Sequence, residues 1–158
     1  MFREITRKKL QLPEDECREI LSKQLRGVLS VNGDEGYPYG MPINHYFCPD
    51  DGRIYFHGGM KGYKIDALRR DNKASFCVYD DGYQKEGEWA LNIRSVIVFG
   101  HVEFIEDRET VERISRQLSL KFTDDEEYIS REIANSLDRT LMFALIPEHI
   151  SGKIVKES

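Results

Sequence analysis

The residues best equipped for chemistry crowd into one run, Arg53-Ile-Tyr-Phe-His57-Gly58-Gly59-Met60-Lys61-Gly62-Tyr63-Lys64. It reads as a β-strand, a glycine-rich turn and a helix that opens with lysines. A helix start carries unpaired N–H donors and a partial positive charge. Glycines at 58, 59 and 62 leave that backbone open to close approach. Two cations at a helix N-terminus oppose the dipole by a few tenths of a kcal/mol to about 1 kcal/mol, unless an anion sits between them. The simplest functional reading is a site for a phosphorylated small molecule; the blander one is a solvated loop. Neither the Gly-x-Gly-x-x-Gly fingerprint nor the Walker lysine pattern is present, so this is no standard nucleotide loop.

Other polar residues could serve a ligand held there. If Ile54 and Phe56 fill a core, Tyr55 and His57 point the other way, and His57 stands beside the turn, able to bond a phosphate or a substrate. Asn44 and His45 follow Pro42 in an extended segment, and a carboxamide suits the edge of a heteroaromatic ring. Tyr37, Tyr39, Tyr46 and Tyr55 cluster in the same strands, as core, interface or the wall of a slot for a flat ligand. Arg94-Ser95 interrupts the longest apolar run, and a charge there must face a ligand, a partner or solvent. His45, His57, His101 and His149 lack metal-ligand spacing, and no Gly-x-Ser-x-Gly elbow exists.

The elements that must position these residues follow from pattern. At 158 residues the chain reads as a single domain over 1–158. Pro13–Leu25 is a helix with Cys17, Ile20, Leu21 and Leu25 on its apolar stripe. Val28–Val31 is a strand, Asn32–Gly36 a hairpin turn, and Tyr37–Phe47 an extended segment whose two prolines point to an edge, a bulge or an irregular ladder. Arg53–His57 is the returning strand; Ala74–Tyr79 and Trp89–Phe104 are two more, separated by a polar loop over Asp80–Glu88. Asp107–Phe122 is a helix with Val111, Ile114, Leu118 and Phe122 inward. Thr123 caps a further helix, Arg139–Ile146 is the last strand, and Pro147–Ser158 reads as a tail. Strands at short spacing joined by turns, with helices inserted, favour a small antiparallel barrel over a doubly wound parallel sheet. Trp89, Val96 and Val98 offer apolar surface for a two-fold dimer.

Charge and composition narrow the partners. The net charge of -5 argues against general nucleic-acid binding. No apolar run reaches the length of a membrane span, and Met1–Lys9 is charged without a hydrophobic signal core behind it. The three cysteines, Cys17, Cys48 and Cys77, form no Cys-x-x-Cys pair, which fits a reducing cytoplasm and packing roles.

The ordered set Tyr37-Pro-Tyr-Gly-Met-Pro-Ile-Asn44, Ile54-Tyr-Phe-His57-Gly58, Gly62-x-Lys64-x-Asp66-x-Leu68, Ile93-x-Ser95-Val96 with Gly100, and Ile150-Ser-Gly-Lys153 resembles the 5-nitroimidazole-resistance (Nim-like) branch of the pyridoxamine 5′-phosphate oxidase-like proteins. That resemblance implies an FMN-binding split β-barrel, mainly β with added helices, whose homodimer holds FMN in a groove at the interface. It would set Met41, Pro42, Ile43, Asn44 and Tyr46 beside the isoalloxazine ring. His57, Gly58 and Lys64 would lie near the ribityl phosphate, with Ser95 and Val96 near the flavin on the interface strand. His57, and after it Tyr46, are the candidate catalytic groups, with the role of His57 open between phosphate and substrate. Where family members carry Ser after the histidine, Gly58-Gly59 offers backbone N–H alone. The implied activity is two-electron reduction of a small acceptor, a nitroaromatic being the one the resemblance suggests; the alternative is a protein that binds flavin or haem without catalysis.

Overall fold

The computed structural model describes residues 1–157. Eight strands make one antiparallel sheet: β1 (Arg26–Asn32), β2 (Pro38–Asn44), β3 (Tyr46–Phe47), β4 (Ile54–Gly58), β5 (Lys73–Tyr79), β6 (Tyr83–Gln84), β7 (Leu91–Ile105) and β8 (Leu141–Glu157). Four α-helices join them: α1 (Glu14–Lys23), α2 (Tyr63–Arg70), α3 (Arg108–Leu120) and α4 (Glu126–Ser136). The strand order is β2-β1-β5-β7-β8-β4-β3, with β6 on β7. The outermost strands of that order, β2 and β3, follow each other in the chain with His45 alone between them. The sheet therefore curls until its edges meet at one corner, which is a split barrel.

Alternation fills the interior. β1 buries Leu29 and Val31, and β5 buries Phe76 and Val78, each with polar or half-exposed neighbours between. Phe56 centres the core, edge-on to Phe76 at 5.1 Å and stacked on Phe143 at 5.3 Å between ring centroids. Helix α1 adds Cys17, Ile20 and Leu21 to this cluster, and α2 adds Ile65 and Leu68. A second cluster forms outside the barrel, where Tyr55, Met142 and Ala144 meet Val111 and Ile114 of α3.

Several boundaries differ from the sequence reading. The segment expected to be a tail is the second half of β8, which pairs with β7 out to Leu91↔Glu157. Pro147 hid it: a proline breaks the ladder pattern, and it is tolerated here because the register shifts between Phe99 and Gly100, opposite Pro147. Gly100 is needed at that bulge, since a Cβ would collide with Ile146 O. Helix α4 is capped by Asp125, which accepts from Tyr128 N, rather than by Thr123. Leu25 and Phe122, both expected on inner stripes, lie beyond the ends of α1 and α3 and are exposed. The polar loop after β5 contains β6, two residues long.

The parity of β7 also corrects the surface expected to meet a partner. Val96 and Val98 point into the barrel and are fully buried; the exposed apolar residues of that strand are Ile97 and Phe99. Trp89, just before β7, is exposed as expected. No helix among the described residues is long and apolar enough to cross a membrane, and no described group of His, Cys, Asp and Glu could hold a metal ion.

Candidate functional site

The glycine turn connects β4 to α2. Gly62 has φ +145°, a backbone state that excludes a Cβ, and nothing approaches within 4 Å of where one would stand. Its carbonyl accepts from Asp66 N, so the N–H groups of Tyr63, Lys64 and Ile65 precede the first intrahelical bond. Lys64 reaches back over β4: a Cβ on Gly58 would stand 3.5 Å from its Nζ. Lys64 is half-buried and pairs with no carboxylate among the described residues. A cation, free amides and open glycines thus converge, and the residues present fit a phosphate group. Lys61 stands outside the helix, exposed on the turn.

Tyr63, which sequence reasoning did not single out, ties this turn to the β1–β2 hairpin. Its hydroxyl accepts from Asp34 N at 2.6 Å, and its ring lies 4.3 Å from that of Tyr39. Arg70 adds bonds to Asp34 Oδ1 and Asn32 O, both 3.1 Å. The available signal was the placement of Tyr63 between Gly62 and Lys64, inside the turn the sequence marked. The clamp leaves the glycine turn beside the start of β2. From there β2 runs along the split with its outer edge unpaired, so the edge is the one of the three arrangements its two prolines allowed that the fold adopts. Tyr39 to Asn44 covers about 17 Å of that edge.

The other predicted residues fall on three surfaces. Met41 and Ile43 pack inward against the core, so only their backbone faces the split. Pro42 and Asn44 point outward, opposite Val28 and Arg26. Ser95 lies on the same outer surface, between Tyr79 and Lys153. Val96 meets a ring at most through backbone, because its side chain fills the barrel. Tyr46 and His57 lie on the opposite flank of the sheet. Tyr46 pairs with Tyr55 and packs against the second cluster, while His57 stands opposite Met142.

His57 and Lys64 therefore sit on the two faces of β4. Ser95 is ten residues along β7 from Ile105, the partner of Met142, so Ser95 and His57 of one chain lie at opposite ends of the β7–β8 ladder. One chain brings together the turn, Lys64 and the β2 edge; it does not bring Ser95 to them.

Electrostatics separates the two candidate proton donors. His57 is exposed, yet partial desolvation holds its pKa below the ordinary histidine value, so the ring is neutral at pH 7. Desolvation, with a smaller contribution from Cys48, pushes the Tyr46 hydroxyl up. On the outer face, residues 4–7 and Leu10 of the N-terminal arm roof a cleft of about 410 Å³ over Ser95, Ile97 and Lys153. Phe2 anchors the arm, stacked on His149 at 5.0 Å and Phe99 at 5.8 Å.

Among solved structures, a protein from Bacteroides thetaiotaomicron assigned provisionally to 5-nitroimidazole antibiotic resistance superposes with a TM-score of 0.79 at 19% identity, over 94% of this chain and 88% of that one. The flavocytochrome Anf3 from Azotobacter vinelandii gives 0.77 at 20% identity, over 96% and 72%. An FAD- and haem-binding protein from Mycobacterium smegmatis gives 0.72 at 19% identity, over 91% and 72%. At these identities the likeness is one of fold. No curated protein matches the sequence. The sequence model of the pyridoxamine 5′-phosphate oxidase family matches residues 13–154, nearly the whole barrel from α1 to β8. The chain belongs to the pyridoxamine 5′-phosphate oxidase family.

Proposed function

We infer that this protein binds FMN along the split between β2 and β4, as a homodimer, and reduces a small acceptor such as a nitroaromatic compound. The observation that carries the reading is Lys64 Nζ, free of any carboxylate among the described residues, over Gly58 beside the open backbone at Gly62. In the reading, the turn amides and Lys64 take the phosphate. The unpaired β2 edge from Met41 to Asn44 offers backbone donors and acceptors to a flat heteroaromatic ring. FMN, when bound, supplies the two-electron chemistry; the chain supplies position and electrostatics.

The outer sheet face supports a second copy. Pro42, Val28, Cys77 and Ile97 form a row across it, with Ser95, Tyr79, Arg26 and Asn44 in the row beside. Val28 and Ile97 stay exposed in one chain, and an apolar strip of this kind is normally covered. A two-fold partner would cover that strip and carry its own Ser95 across the interface. His57, neutral at pH 7, suits hydrogen bonding to substrate or cofactor better than strong acid catalysis. That same observation favours the second reading, a protein that holds flavin, or haem as some fold neighbours do by name, without turnover.

The test is spectral. Purified protein should be yellow or turn yellow with added FMN, and its flavin bands should bleach under NAD(P)H. Bound flavin that no nicotinamide reduces selects the second reading. Protein that stays colourless in excess FMN ends both flavin readings. Lys64→Ala should weaken FMN binding at least tenfold, about 1.4 kcal/mol, without loss of fold; unchanged affinity removes Lys64 from the phosphate site.

A further inference from the structure

The corner at His45, where the chain passes from β2 to β3, is held by contacts that neither strand supplies. Lys121, at the C-terminal end of α3, donates to His45 O at 2.6 Å and to Gln24 O at 2.7 Å. The His45 ring is fully buried, and its Nε2 lies 2.7 Å from Leu21 O. A carbonyl can only accept, so Nε2 carries the proton. The backbone N–H of His45 points to Leu25 O at 3.4 Å. Leu21 lies in the last turn of α1 and Gln24 caps it, so their carbonyls are among those a helix end leaves unpaired, and they favour a cation. Burial draws the pKa of Lys121 down to about 8, which leaves it charged at neutral pH. The far atom of the ring, Nδ1, is buried with no partner. His45 is edge-on to Phe76 at 4.8 Å, so the ring cannot swing into the core.

A single side chain thus joins α3 to both α1 and the β2–β3 corner. The residues on either side of that corner are Asn44 and Tyr46, which diverge onto opposite flanks of the sheet. We propose that Lys121 is a positioning residue for the flavin site: with the buried His45 ring, it sets the angle at which β2 leaves the corner. That angle fixes the backbone edge from Met41 to Asn44 that the ring would lie against. The inference rests on the flavin reading above. Nothing in Lys121 touches the ring; it acts through His45 O.

The experiment uses the full chain, titrated with FMN and followed by visible absorbance and circular dichroism, beside thermal unfolding without ligand. The variants are Lys121→Met, which keeps the stem and loses the charge, and Lys121→Gln, which keeps one donor and serves if the first does not fold. The expected result is folded variant protein whose FMN dissociation constant rises at least tenfold and whose bound-flavin bands shift, the Met variant more than the Gln variant. A shifted band reports a changed ring environment, which mere loss of stability would not produce. Wild type that binds FMN, with folded variants that bind it equally and show the same bands, overturns the inference alone. Wild type that takes up no FMN removes the flavin reading, and the inference falls with it.

Discussion

Strands β7 and β8 run through two different environments. At one end, from Gly100 to Ile105 and from Leu141 to Ile146, their outer surface lies near α3, and Met142, Ala144, Val111 and Ile114 bury one another. At the other end, from Leu91 to Phe99 and from His149 onward, only the N-terminal arm lies outside, over Ser95, Ile97 and Phe99, and Ile97 and Phe99 are still about two-fifths exposed. The same antiparallel pair is thus a closed core at one end and an open sheet face at the other. The bulge at Phe99/Gly100 marks the change. In the proposed dimer, the apolar part of this surface that neither α3 nor the N-terminal arm covers is the part a second copy would cover. In this family member the polar residues Asn44, Arg26, Ser95 and Lys153 share that open half.

The sharpest break between the halves compares two isoleucines. Ile114→Ala, in the covered half, removes a fully buried side chain and should cost about 2–5 kcal/mol of stability, read by denaturant unfolding. Ile97→Asp, on the open half, should change single-chain stability by only about 0.5 kcal/mol yet break the proposed dimer, read by light scattering as a halved particle mass. Equal stability losses at the two positions would erase the distinction.

The next effect is acidic unfolding at the corner that joins the halves. His45 has a pKa of about 4 in the folded chain against 6.5 when free, lowered by burial and by Lys121. The unfolded state therefore binds the proton first. Stability is full above about pH 6.5 and falls by up to about 3 kcal/mol as pH drops to 4. His45→Gln should flatten that stretch of the stability–pH curve; an unchanged curve would assign the acid transition elsewhere.

A smaller effect lies at the rim of the open half. Asp80 accepts from Arg94 Nε at 2.9 Å, Arg94 N at 3.0 Å and Gly82 N at 3.1 Å, and it is mostly buried. Asp80→Ala should cost about 1–3 kcal/mol, read as a lowered unfolding midpoint. The smallest should come from the covered half, where Arg108 meets Asp138 at 2.7 Å with both side chains in solvent. Asp138→Asn should shift stability by less than about 0.5 kcal/mol.

The comparison also explains what the sequence disclosed. The barrel class was legible because β1, β5 and the apolar run of β7 alternate or stay apolar over interior positions. The glycine turn and Lys64 were legible because local chemistry marks them, whatever the fold around them. The second half of β8 was not, because it follows a proline and alternates Ser151 and Lys153 with Gly152 and Ile154 on a half-open sheet. The inward turn of Val96 and Val98 needed parity, which a nearly continuous apolar run conceals. The tie between Lys121 and His45 spans 76 positions and uses a lysine that any amphipathic helix could end with, so no local pattern could announce it.

Native mass spectrometry of the purified protein with added FMN tests the central claim most directly. The account predicts a two-chain particle that carries flavin, and a Lys64→Ala form that stays two-chained but loses it. A flavin-free particle at saturating FMN, or flavin held equally well by a single chain, would contradict the account.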